Sequence, residues 1–202
     1  MNNINENIAR KFYYGNFAAH SWDHIERVHK LGMKIAKNEK NVNYSVLNAA
    51  LWLHDIAREE ESTKGICHAE AGSKIVVPIL KKLNFKDSEI MAVSEAIAVH
   101  RFSKGKKARF IEAKILQDAD RLDALGAVAI SRIFSYGGHI GRPVYDKNSF
   151  KNKSRDTGIG HFYEKQLKLK PSTFHTKTAR KIATKRYSFI KLFLKNFKEE
   201  IK

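Results

Sequence analysis

An all-α fold is expected, and three observations predict it. Apolar residues recur at the i, i+3, i+4, i+7 spacing of a helix face in stretch after stretch. Only three prolines interrupt 202 residues, of which 43% are hydrophobic. No strand-like alternation is strong, and there is no internal repeat. A chain of this length buries a sizeable core without staples and is expected to form one domain, residues 1–202.

The first strong helix is expected from Ser21, a good N-cap, with Val28, Leu31 and Ile35 on its apolar stripe. His24 lies on that stripe and faces inward; His20 and His29 fall off it, toward the surface. Phe12, Tyr13, Tyr14 and Phe17 precede it as aromatics that dock on the core. The second helix runs from about Tyr44 to Arg58, with Leu47, Ala50, Leu51 and His54 on one face. Residues 59–65 read as a polar loop. A third helix, from about His68 to Leu83, buries Gly72, Ile75, Val76 and Ile79, and Pro78 inside it predicts a kink or break. Asp87 and Ser88 are capping residues for a fourth, with Ile90, Val93 and Ile97 inward and His100 at its last turn.

A fifth helix is expected from about Phe110 to Tyr136, on which Leu116, Asp120, Asp123 and Ala127 share a face and Asp118 points elsewhere. The core is thus about 20–136. Residues 137–160, rich in Gly, Asn, Ser and Lys, read as a long loop. Gly137-Gly138-His139-Ile140-Gly141 is no phosphate-binding loop, since no Gly-Lys-Ser/Thr follows. Two amphipathic helices, His161–Leu169 and Thr176–Phe197, then pack on the core, the second through Ile182, Phe189, Leu192, Phe193 and Phe197.

No run approaches the ~18 apolar residues of a membrane span, and no secretory signal is visible, so a cytoplasmic protein is expected. The single cysteine, Cys67, fits a reducing compartment. The net charge of +17 is lopsided: residues 1–100 hold 13 Lys and Arg against 12 acids, residues 101–202 hold 25 against 9. That attracts anions. Nucleic acid is nonetheless disfavoured as a partner, because no helix-turn-helix, zinc finger or RNA-recognition motif is present.

Each inward histidine, taken alone, has an ordinary structural explanation. Jointly they need a shared cause: His24, His54, His68 and His100 fall on the apolar stripes of four helices, with Asp55 and Asp120 beside them. Imidazoles plus carboxylates without thiolate suit Mn, Fe, Ni, Co or Zn, with Mg a weaker fit.

His24, His54-Asp55 and Asp120 together resemble the H…HD…D signature of the HD-domain metal-dependent phosphohydrolases. The phrases His20-Ser-Trp-Asp-His24, Leu53-His54-Asp55-Ile56, Asp118-Ala-Asp-Arg-Leu-Asp123 and His161-Phe-Tyr-Glu-Lys-Gln-Leu167 resemble the small stand-alone bacterial members. The resemblance implies an HD-domain helical bundle with additional C-terminal helices, and His24, His54, Asp55 and Asp120 as metal ligands. Asp120 is chosen over Asp118 because the family's ligand sits in an Ala-Asp-Arg-Leu phrase. Asp118 is then expected behind the ligands, orienting one of them.

It implies hydrolysis of a phosphoester or phosphoanhydride, with a nucleotide as the expected substrate. Asp55 would orient the attacking water, and Glu59 or Asp123 would serve as general acid or base. Arg58, Lys64, Lys104 or Arg121 would offset phosphate charge. HD enzymes that remove the 3′-pyrophosphate of guanosine tetraphosphate carry Glu-Asp where this chain has Arg58 and Glu59, so that substrate is disfavoured. Some HD proteins use two further histidines for a second metal, and His68-Ala-Glu-Ala-Gly72 and Val99-His100 resemble those phrases. One metal is nevertheless favoured over two, with His68 and His100 facing it across the substrate pocket. The alternative function is a non-catalytic module that binds metal or nucleotide as a signal.

Overall fold

The computed structural model describes residues 4–13, 22–150 and 156–202. His20, Ser21, Tyr14 and Phe17 lie outside the described residues. Among those described, every regular element is helical. Contacts within the chain group into two compact units, divided between Asp120 and Arg121.

In the first unit, α1 (Glu6–Arg10) is capped by Asn5, whose side chain accepts from the Ile8 N–H. α2 (Trp22–Ala36) buries His24, Ile25, Val28 and Ile35. α3 (Tyr44–Leu53) starts at Asn43, whose side chain accepts from the N–H groups of Ser45 and Val46. It ends earlier than its apolar pattern implied, with His54 as the capping residue. α4 (Arg58–Lys64) occupies the stretch expected to be a loop. It has no apolar stripe to announce it. Its acidic first turn complements the positive end of the helix dipole, and Gly65, at φ 68°, closes it left-handed.

α5 (His68–Lys82) runs through Pro78 as one helix, so of the kink or break expected there, the break does not occur. α6 (Asp87–Val99) begins with Asp87 already helical; Glu89 bonds back to the Lys86 N–H, and His100 caps the far end. α5 packs along α6, and α3 contacts both α2 and α6. Leu47, Leu51, Val76, Leu80, Val93, Ile97, Ile115 and Leu116 fill this core.

The expected fifth helix is two. α7 (Ile111–Asp123) stops, and α8 (Ala127–His139) restarts after Gly126, whose φ of 85° no continuing helix allows. In the second unit, α9 (Gly158–Glu164) is capped by Thr157, and α10 (Lys177–Glu200) by Thr176. α10 turns a different face inward from the one its large side chains suggested. Phe189 and Leu192 are 48% and 53% exposed, while Ala179, Ala183, Ile190 and Leu194 are buried. Phe193 still meets Phe134 and Phe162, with ring centroids 6.0 and 5.7 Å away.

Candidate metal centre

Six chemistry-bearing side chains converge in the first unit, mostly from helix ends. His24 lies in the first turn of α2, and His54 and Asp55 follow α3 directly. His68 opens α5, His100 caps α6 and Asp120 comes from the last turn of α7. The four histidines and Asp55 are each at most 2% exposed; Asp120 keeps 22% of its side chain exposed.

They form two triads, His24–His54–Asp120 and Asp55–His68–His100, each with ligand atoms within 4.8 Å of one another. In the first, His24 Nε2 lies 3.4 Å from His54 Nε2 and 3.6 Å from Asp120 Oδ1. In the second, His68 Nε2 lies 3.3 Å from His100 Nε2. Asp55 stands between them. Its Oδ2 is 3.5 Å from His24 Nε2 and 3.8 Å from His54 Nε2, and its Oδ1 is 3.4 Å from His68 Nε2 and 3.5 Å from His100 Nε2.

The other ring nitrogens decide what these contacts are. His54 Nδ1 is 3.0 Å from the Leu51 carbonyl, and His100 Nδ1 is 2.7 Å from that of Ile97. His68 Nδ1 is 2.7 Å from Glu61 Oε2. An oxygen acceptor beside Nδ1 places the proton there and leaves Nε2 as a lone pair. Burial depresses His54 to about 4, against the pull of Asp55, and depresses His68 to about 4 likewise. Both rings are therefore neutral near pH 7. In the second triad, then, the His68 Nε2 lone pair faces the Asp55 carboxylate at 3.4 Å, with His100 Nε2 3.3 and 3.5 Å from the two. Acceptors that close repel unless a cation lies among them. The donor set fits a divalent transition metal.

Burial opposes the ionisation of Asp120, yet its pKa is lowered, chiefly by His24 beside it. Arg58 Nε sits 2.8 Å from Asp55 Oδ2, and its charge survives burial because Asp55 holds it.

The remaining candidates are more dispersed. Glu59 is exposed on the first turn of α4, and Lys64 and Lys104 are exposed. Asp118 is fully buried. Asp123 forms an ion pair with Arg132, and Arg121 donates to the Thr173 carbonyl at 3.2 Å, both within the second unit. Two residues near the centre had no signal in the apolar pattern: Glu61 and Arg101, which pair with each other. The position of Arg101 beside His100 was the available clue. For Glu61 the clue was its place three residues after Arg58.

An HD domain family model matches residues 21–125, and the chain belongs to that family. YpgQ of Bacillus subtilis is 32% identical over 185 residues, covering 91% of this chain and 85% of its own. A crystal structure of YpgQ in complex with ADP superposes with a TM-score of 0.76 over 97% of each chain, at 26% identity in the structural alignment. An HD-superfamily hydrolase from Bacillus thuringiensis is 38% identical, with a TM-score of 0.70 over 90% of this chain and 86% of that one. A predicted HD superfamily hydrolase from an uncultured Thermotogales bacterium is 34% identical, with a TM-score of 0.68 over 97% and 90%. Among the described residues, no helix is long and apolar enough to cross a membrane.

Proposed function

We propose that the protein is a metal-dependent phosphohydrolase that cleaves a phosphoester or phosphoanhydride bond of a nucleotide. One observation carries the reading: imidazoles and carboxylates converge on two points, with one oxygen of Asp55 facing each. His24, His54, Asp120 and Asp55 Oδ2 would hold one metal; His68, His100 and Asp55 Oδ1 would hold a second. This geometry favours two metals, where the sequence favoured one. Metals so placed lower the pKa of a coordinated water and polarise phosphoryl oxygens.

The protein's own groups do the rest. Asp55, fixed by Arg58, orients the centre. Arg58 brings a guanidinium beside it, suited to a phosphoryl oxygen. Of the two acids considered for proton transfer, Glu59 is the better candidate: it adjoins Arg58 and is exposed, whereas Asp123 is buried in its ion pair with Arg132. Lys64 and Lys104 remain candidates for the outer phosphates, whereas Arg121 is engaged with the Thr173 carbonyl. The ADP complex of YpgQ supports a nucleotide as ligand.

The test is a screen of metal-free protein reloaded with Mn, Co, Ni, Fe, Zn or Mg against nucleoside mono-, di- and triphosphates and a generic aryl phosphate. Turnover that disappears in His54→Ala and Asp55→Ala is expected. Nucleotide binding without turnover under every metal would overturn the catalytic reading and leave a binding module.

A further inference from the structure

We propose that Glu61 is the positioning residue of the second triad: it fixes His68 for metal ligation and balances two arginines beside it. The inference rests on the metal-site reading above and goes beyond it, because Glu61 is no ligand.

The argument starts from where each histidine finds its second partner. His54 and His100 each end a helix, so the carbonyl three residues back, Leu51 or Ile97, is in reach of Nδ1. His68 is the first residue of α5, and the residues before it belong to a link rather than to a helical turn. It must take its acceptor from another element. Glu61 of α4 supplies it, at 2.7 Å. The neutral ring donates to a carboxylate, a stronger bond than donation to a carbonyl.

The same carboxylate does two further things. Its Oε2 accepts from Arg58 Nη1 at 3.0 Å, while Arg58 Nε stays 2.8 Å from Asp55 Oδ2. Its Oε1 accepts from Arg101, which directly follows His100. Glu61 and Asp55 thus set two negative charges against two guanidiniums. Without Glu61, His68 loses its orienting acceptor, and two cations stand unbalanced beside a site that must receive a third. Both effects weaken metal binding at Asp55–His68–His100. Neither acts directly on His24, His54 or Asp120: Glu61 bonds to His68, Arg58 and Arg101, and Arg58 keeps Asp55 as a partner when Glu61 is gone.

The experiment is calorimetric titration of metal-free, full-length protein with Mn(II), beside circular dichroism to verify folding. Wild type is expected to show two binding events, with His68→Ala identifying which belongs to the second triad. Glu61→Ala should weaken that event ~10- to 100-fold and leave the other within about two-fold. Glu61→Gln keeps an acceptor for Nδ1–H but not the charge, and should fall between wild type and alanine. Unchanged events in Glu61→Ala, or equal weakening of both, overturn the inference. If Glu61→Ala does not fold, Glu61→Gln decides: an unchanged second event overturns it. Wild type that binds no Mn(II) fails earlier, and sinks the metal-site reading itself.

Discussion

The triad of His24, His54 and Asp120 and the triad of Asp55, His68 and His100 present the same kinds of atom at similar distances, yet they are held in different ways. In the first, helix packing does the work. α2 presses Gly32 against Leu51 of α3, so closely that an added Cβ would stand 2.4 Å from a Leu51 methyl. Trp22 and Trp52 stack at 5.5 Å beside the helix ends that carry His24 and His54, and His29, expected at the surface, is half-buried on Trp52 at 4.0 Å. In the second, α5 and α6 supply one histidine each, but His68 is oriented by an ion network reaching through Glu61 to Arg58 and Arg101. One triad is fixed by burial and backbone, the other partly by charge. Salt and charge-removing substitutions should therefore reach the second more than the first.

Asp55 joins the two, and its removal should have the largest effect. Asp55→Ala takes one oxygen from each triad and leaves Arg58 without its buried partner. Loss of Mn(II) affinity in both events, each by more than ~100-fold, is expected by calorimetry. His24→Ala and His68→Ala should separate what Asp55 unites, each abolishing a different event. If both variants lose the same single event, the two triads are one site and the comparison fails.

Acid should treat the triads alike. The unfolded chain protonates its histidines near 6.5, whereas burial holds His54 and His68 to about 4 in the folded protein. Between those values the unfolded state binds more protons, so stability falls as the pH drops through that window. For His54 alone the loss is on the order of 3 kcal/mol when complete. Urea unfolding of metal-free protein at pH 7 and pH 4.5 measures it. A flat profile would show that the rings are not held neutral.

Gly32→Ala should damage the first triad selectively. Leu51 is fully buried, so its methyls have little room to yield to the new Cβ. Overpacking of this kind costs about 1–3 kcal/mol. The melting temperature should fall, and Mn(II) affinity should drop at the event that His24→Ala removes. A drop at the His68 event instead would contradict the division of labour.

The first triad was also the more legible of the two in sequence. His24 and His54 stood on apolar stripes where leucines belong, and Asp120 shared a face with Leu116. Periodicity reports burial, and the two histidines are buried. His68 and His100 were visible on the same grounds, but not the support behind them. Glu61 lies on α4, a seven-residue helix of Arg, Glu, Ser, Thr and Lys whose stability comes from its dipole and its Gly65 cap. A helix without an apolar face leaves no period to read. The break at Gly126 was hidden for the opposite reason, since apolar residues continue in helical spacing on both sides of it. On α10 the large aromatics misled, because the face that goes inward is carried partly by Ala179 and Ala183.

Tyr13 offers the smallest and most local test of how the first triad is held. Its hydroxyl donates to the Trp52 carbonyl at 2.7 Å, two residues before His54. Burial, with Asp55 nearby, raises its pKa well above the ordinary phenol value, so it remains a donor throughout the working range. The Trp52 carbonyl belongs to the last turn of α3, where the helix itself offers no amide to pair with it. Tyr13→Phe keeps the ring and its edge contact with Trp22, 5.5 Å between centroids, and removes only that bond. The cost should be about 1 kcal/mol, read as a lower urea midpoint with an unchanged slope. Because the freed carbonyl lies next to the turn that carries His54, the His24–His54 event should weaken slightly while the His68 event stays as it was. Equal weakening of both would mean that Tyr13 acts through nearby Asp55 rather than through the end of α3.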